Sequence, residues 1–244
     1  MTLDYLSLLA TDIGAFAAAL ETGAPEAEIA GCPGWTLPAL GAHLGGVHRW
    51  ARAAIITGAV PQLDPATDPA PNDLAGIAAW VRDGGERLIA TLGEINPLEP
   101  TWHPFPVEPK LAGLWKRRQA HETSVHRWDA ERATGLSPVI EAAFAADGID
   151  EYWTVMLPRL ITREKLTVPN SVIATSTTDT GQRWIIDGRS GAVQVGAAGD
   201  PHAELHGTAF DVLLCLWGRP VAAGAVAVSG DAEMAGEWLA LGGA

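Results

Sequence analysis

Apolar residues recur at three- and four-residue intervals through the first two thirds of the chain, the period of helices that bury one face. Leu3, Leu6, Leu9, Ile13 and Phe16 set the first stripe and predict a helix over about 3–21. Leu40, His43, Leu44, Val47 and Trp50 set a second within 37–57, and Leu74, Ile77, Val81, Leu88 and Leu92 a third within 73–93. A fourth amphipathic segment covers 111–133. Punctuation supports these ends: Gly23 and Pro25 stop the first helix, Thr36 with Pro38 can open the second, and Asn72 with Asp73 can cap the third. A fifth helix over 139–157, carrying Tyr152, Trp153 and Met156, leads out of the bundle. Two proline-rich joins, 61–71 and 97–109, are too restricted for helix. The second is expected to fold over the bundle's end, where Trp102 and His103 could line a pocket.

After about residue 165 the period shortens. Segments 172–177, 183–186, 192–195 and 203–206 read as short strands separated by Asp-Thr-Gly and Asp-Gly turns. An apolar helix over 210–217 stops at Gly218-Arg219-Pro220, a strand follows at 226–229, and a closing helix spans 231–241. Strands in a run with helices to one side argue for a small α+β domain. The predicted fold class is therefore α+β, a four-helix bundle over 1–160 followed by a small α+β domain over 161–244.

Composition narrows the function. With 48% hydrophobic residues among 244, the chain can bury a real core. Its formal charge of −13 repels nucleic acid and anionic membrane, and leaves small molecules as the expected partners. No apolar run is long enough to span a bilayer, and the first residues lack the basic flank and cleavage site of a signal peptide, so a cytoplasmic location is expected. Cys32 and Cys215 have no CxxC spacing, which gives neither a disulfide framework nor a cysteine-cluster zinc site and leaves both as small hydrophobes.

Candidate chemistry lies in Glu122-Thr-Ser-Val-His126-Arg-Trp-Asp129. A carboxylate and an imidazole four residues apart on a helix face the same way and can converge on one ion. Asp129, three residues after His126, falls on that face and can accept the imidazole's second N–H, fixing the tautomer that offers the other nitrogen to a metal. The natural third ligand is His43, although a histidine on an apolar stripe is equally a core residue bonded to a carbonyl, and Glu122 with His126 is equally an ordinary surface pair. Arg118, one turn before Glu122, could orient that carboxylate or meet a ligand's charge, with a solvated helix pair the expected reading. His48, His103, His121, His202 and His206 show no spacing that converges with the triad.

The combination Cys32-Pro-Gly-Trp35-Thr, His43 eight residues after Trp35, and Arg118-Gln-Ala-His121-Glu122-Thr-Ser-Val-His126-Arg-Trp-Asp129 resembles the mycothiol-dependent maleylpyruvate isomerase family of actinobacteria. That family belongs to the DinB-like metal-binding four-helix bundles. The tail from Ala203 through Arg219, then Val226-Ala-Val-Ser-Gly-Asp231, looks like the sterol-carrier-like C-terminal domain often attached to it. The resemblance implies a divalent metal on His43, Glu122 and His126, with Asp129 behind His126. Two imidazoles and one carboxylate leave open positions, the arrangement of a catalytic zinc. The resemblance also implies mycothiol as thiol cofactor or co-substrate, in an isomerase or an S-transferase acting on a small electrophile. It makes Arg219 the catalytic residue that captures a substrate carboxylate, although an arginine after a helix end can equally serve that helix's last carbonyls. Ahead of the third helix, where some such isomerases carry a basic residue, the chain reads Asp68-Pro-Ala-Pro-Asn-Asp73, which gives a dicarboxylate less help. Two alternatives remain: a non-heme iron enzyme built on the same two-histidine, one-carboxylate set, and a non-enzymatic carrier of an apolar ligand.

Overall fold

The structure, a computed structural model, describes residues 3–64 and 66–242; Met1, Thr2, Pro65, Gly243 and Ala244 lie outside the described residues. The chain divides into two compact units, one of 1–103 with 108–138 and one of 104–107 with 139–244.

The first unit is the expected bundle: α1 (Tyr5–Thr22), α2 (Leu37–Thr57), α3 (Leu74–Glu94) and α4 (Gly113–Ala133). Helix α1 packs on α3 and α4, and α2 on the same two helices. Leu9, Phe16, Leu20, Leu40, Leu44 and Leu88 meet in the middle with no exposure, each contributing about 1.5–3 kcal/mol by leaving water. The starts follow local chemistry. Asp4 accepts from the Ser7 N–H at 3.2 Å and Asp73 from the Gly76 N–H at 2.8 Å, each satisfying a donor the helix cannot. Thr36 precedes α2 without a side-chain bond, and Pro38 sits in the first turn, where its missing N–H costs nothing. Gly58 closes α2 in the left-handed region at φ 63°, and its carbonyl accepts the Trp102 N–H at 3.2 Å. That bond ties the start of the second proline-rich join to the end of α2. Trp102 then packs edge-to-face on Trp50 at 5.7 Å and receives the Trp115 indole N–H on its carbonyl, so it is part of the bundle's packing.

Helices α2 and α3 approach closely because two glycines leave room. A Cβ at Gly45 would run into the Trp80 ring, and one at Gly84 into the Arg49 guanidinium. Arg49 therefore lies flat across the groove, 3.8 Å above the Trp80 ring.

In the second unit the single helix expected over 139–157 is instead α5 (Ala142–Glu151), a π turn over Tyr152–Met156, and α6 (Leu157–Glu164). The Leu157 N–H reaches back five residues to the Tyr152 carbonyl, which absorbs one extra residue in the turn. Pro158 then falls in the first turn of α6, where its missing N–H costs nothing, so the chain stays helical past the expected end at 157. The sheet comprises β1 (Val172–Thr177), β2 (Arg183–Asp187), β3 (Gln194–Val195), β4 (Ala203–Gly207) and β5 (Val226–Gly230), in the order β3-β2-β1-β4-β5. Strand β1 runs parallel to β4, with Thr175 opposite Leu205, and the other neighbours are antiparallel. Helices α7 (Ala209–Leu216) and α8 (Ala232–Leu239) complete the unit. Indole N–H groups pin helices to strands: Trp153 donates to Thr175 Oγ1 at 3.2 Å, Trp238 to Ser171 Oγ at 2.9 Å, and Trp184 to Asp150 Oδ1 at 3.1 Å. The fold class is α+β, as the alternation of periods predicted.

Candidate metal centre in the helical unit

Helix α4 carries Arg118, Glu122, His126 and Asp129 at intervals of four, four and three, so helical geometry alone stacks them along one face. Helix α2 brings His43 to that face. Its Nε2 lies 3.4 Å from Glu122 Oε1, and His126 Nε2 lies 3.5 Å from the same oxygen. One ligand atom from each of His43, Glu122 and His126 falls within 4.8 Å of the others, the size of a single divalent ion's coordination shell. The three predicted ligands therefore converge.

The surroundings orient each group. His126 Nδ1 stands 3.0 Å from Asp129 Oδ2, and since a carboxylate only accepts, Nδ1 carries a proton toward Asp129 while Nε2 is the nitrogen that faces Glu122 and His43. Trp35 meets the His43 ring edge-on at 4.9 Å, and the rings of His43 and His126 cross at 82° with centroids 5.1 Å apart. Arg118 Nη2 donates to Glu122 Oε2 at 2.7 Å, leaving Oε1 to the two imidazoles. This pair is not the solvated one the spacing suggested. Arg118 is 2% exposed, because the face of α4 that carries it is enclosed by the bundle. Burial works against charge on Glu122, but Arg118 and the two imidazoles outweigh it and hold the carboxyl well below its usual range. His126 moves the other way: burial opposes its protonation, while Asp129 and Glu122 raise its affinity for a proton.

Two features were not legible in the sequence. The offset of Arg118 allowed an orienting role on Glu122 but favoured a solvated pair, and its burial left no mark. Cys32 read as an inert hydrophobe, whereas its thiol lies 4.0 Å from Asp129 Oδ2 and shares that oxygen with His126. The other histidines stay apart from the triad. His48 is fully buried against Thr123 Oγ1 at 2.9 Å, and burial pushes it down to about 3, so its imidazole is neutral. His103 and His121 are buried, the imidazole of His202 accepts the Val172 N–H at 2.9 Å, and His206 meets Ser176 at 2.8 Å. Arg219, in the second unit, is 7% exposed and its Nη1 donates to the Trp217 carbonyl at 2.8 Å, just past the end of α7. Asp68 and Asp73, the acidic residues before α3, are engaged locally, Asp68 by Arg49 and Trp80 and Asp73 as the helix cap.

Comparison with known proteins gives a consistent picture. Residues 6–131 match the family model described as the mycothiol maleylpyruvate isomerase N-terminal domain. Among solved structures, a mycothiol-dependent maleylpyruvate isomerase and a histidine-to-alanine mutant of it each resemble this chain with a TM-score of 0.63. Each is 13% identical, over 94% of this chain and 96% of theirs, which is a likeness of fold. No curated protein matches the chain. Among the described residues no helix is long and apolar enough to cross a membrane.

Proposed function

The chain belongs to the mycothiol maleylpyruvate isomerase N-terminal domain family, and on that premise we propose that it is a metal-dependent enzyme using mycothiol, either an isomerase or an S-transferase, on a small electrophile. The observation that carries this reading is the convergence of His43, Glu122 and His126 within 4.8 Å, with Asp129 behind His126. Two imidazoles and a carboxylate suit zinc, leaving positions for an exogenous group. A divalent cation held by these three residues would keep a coordinated external thiol deprotonated at neutral pH, where a free thiol is mostly protonated. The thiol would supply a reversible nucleophile, able to turn an activated cis double bond into a single bond free to rotate, or to remain attached in a transfer.

The chain's own residues prepare the site. Asp129 holds the His126 ring in the tautomer with Nε2 free, and Trp35 braces His43. Arg118 binds one oxygen of Glu122 and so orients the other toward the imidazoles. Neither cysteine offers an activated nucleophile in this reading: burial pushes the Cys215 thiol up, and the Cys32 thiol is directed at Asp129 Oδ2. The nucleophile is accordingly external. Arg219 is assigned to the substrate's negative group on the resemblance alone, since a guanidinium suits bidentate capture of a carboxylate.

The test is metal analysis of the purified protein followed by incubation of the metal-loaded form with mycothiol and a panel of electrophiles, read by mass spectrometry. Zinc with a mycothiol-dependent product supports the reading. Iron with oxygen consumption and no thiol dependence would replace it with the oxygenase alternative.

A further inference from the structure

Between α2, α3 and residues 62–64 and 67–70 lies a cavity of about 650 Å³ whose lining contains none of the three candidate ligand residues. That volume is within the range of sites that enclose a small organic molecule. Ala53, Leu63 and Trp80 give it apolar walls, and Arg49, Arg52 and Gln62 contribute polar groups. Its floor is the groove opened by Gly45 and Gly84 and filled by Arg49 against Trp80.

The charges around it are unequally engaged. Arg49 is engaged through all three of its nitrogens, donating to Asp68, to the Gly45 and Trp80 carbonyls and to Asp83. Arg87 is taken by Asp83. Arg52 differs. Its Nε donates to Thr91 Oγ1 at 3.1 Å, and among the described residues nothing accepts from its two Nη groups. A half-buried guanidinium with its outer fork unmatched beside apolar surface is complementary to a carboxylate, which takes that fork with two parallel bonds. Asp64, Asp68 and Asp83 also border the cavity and disfavour a second negative charge on the occupant.

We infer that this cavity is a second ligand site, for a small monocarboxylate with a flat apolar body. The carboxylate pairs with Arg52, the Gln62 amide stands on the same lining as a further donor, and the apolar part fills the space along Ala53, Leu63 and Trp80. The site is independent of the metal centre and of the function proposed for it.

The experiment uses the full metal-loaded chain and two isosteric probes, 2-naphthoate and neutral 2-naphthamide, with binding followed by calorimetry. In the wild type, 2-naphthoate should bind one to one and about tenfold or more tighter than the amide, the difference expected of a charge-assisted pair. Arg52→Gln should lose that preference, and Ala53→Phe, which fills the cavity, should remove binding of both probes. His126→Ala should keep naphthoate binding, since its metal is not involved. Absent naphthoate binding, equal affinity for the two probes, an unchanged preference in Arg52→Gln, or loss of binding in His126→Ala would each overturn the inference.

Discussion

Asp129 Oδ2 stands 3.0 Å from His126 Nδ1, on the side of the imidazole opposite the one that faces Glu122 and His43. The carboxylate is fully buried and His126 nearly so, which makes the ring's orientation a property of the packed bundle. Asp129→Asn keeps the size but weakens the acceptor and can present an N–H to the ring. Metal affinity, measured by chelator competition, should fall by about 10–100-fold. An unchanged affinity would show that Asp129 has no hold on the metal's ligand.

Loss of a ligand should cut deeper. His126→Ala should lose essentially all bound metal by elemental analysis and all thiol-dependent activity, while the far-ultraviolet helical signal stays close to wild type, since the apolar stripes carry the bundle. Full metal occupancy in this variant would end the assignment.

Arg118→Met tests the counter-charge. It strands Glu122 in a largely enclosed site, where breaking one half of an ion pair costs about 3–5 kcal/mol. The loss, read from urea unfolding with chelator present, should shrink on adding zinc, which takes over as the carboxylate's positive partner. Equal losses with and without metal would mean that Glu122 does not ligate.

His48 supplies a pH dependence. Burial holds it near 3 in the folded chain against an ordinary 6.5, so between those values the unfolded chain binds the extra proton. Stability from this residue is therefore complete above about 6.5 and declines as the pH falls toward 3, by up to about 5 kcal/mol at about 1.4 kcal/mol per unit. With chelator present, His48→Gln should flatten the stability profile in that window. A profile as steep as wild type would show that another group sets the slope.

Arg219 separates two roles. As a substrate ligand it should give lower kcat/KM in both Arg219→Lys and Arg219→Ala at unchanged metal content, with a smaller loss for electrophiles lacking a carboxylate. Wild-type kinetics combined with a lower melting temperature would return it to a structural role past the end of α7, where it donates to the Trp217 carbonyl.

How far the sequence reached depends on the range of the interactions involved. The shared face of Glu122, His126 and Asp129 was legible because the α-helix fixes their directions within a few residues. His43 was a candidate whose role the apolar stripe left open, since its partner lies on another helix. The burial of Arg118 was not readable, because enclosure is a property of the assembled bundle. The π turn at Tyr152–Met156 left no periodic mark, and the chain stays helical through α6 past the expected end at 157. The cavity beside Arg52 escaped for a related reason: its outer wall is formed by residues 62–64 and 67–70, which have no period to follow.

Helix α4 supplies two of the three candidate ligand atoms and both of the groups that orient them, and only His43 must be delivered by the tertiary fold. A denatured chain that transiently forms a few turns around 118–129 therefore already presents a bidentate chelate. Metal bound to that unfolded ensemble offsets part of what it lends to the native state. Saturating zinc should accordingly raise the unfolding free energy by less than its native-state affinity would suggest, and the shortfall measures how much of the chelate the helix assembles alone.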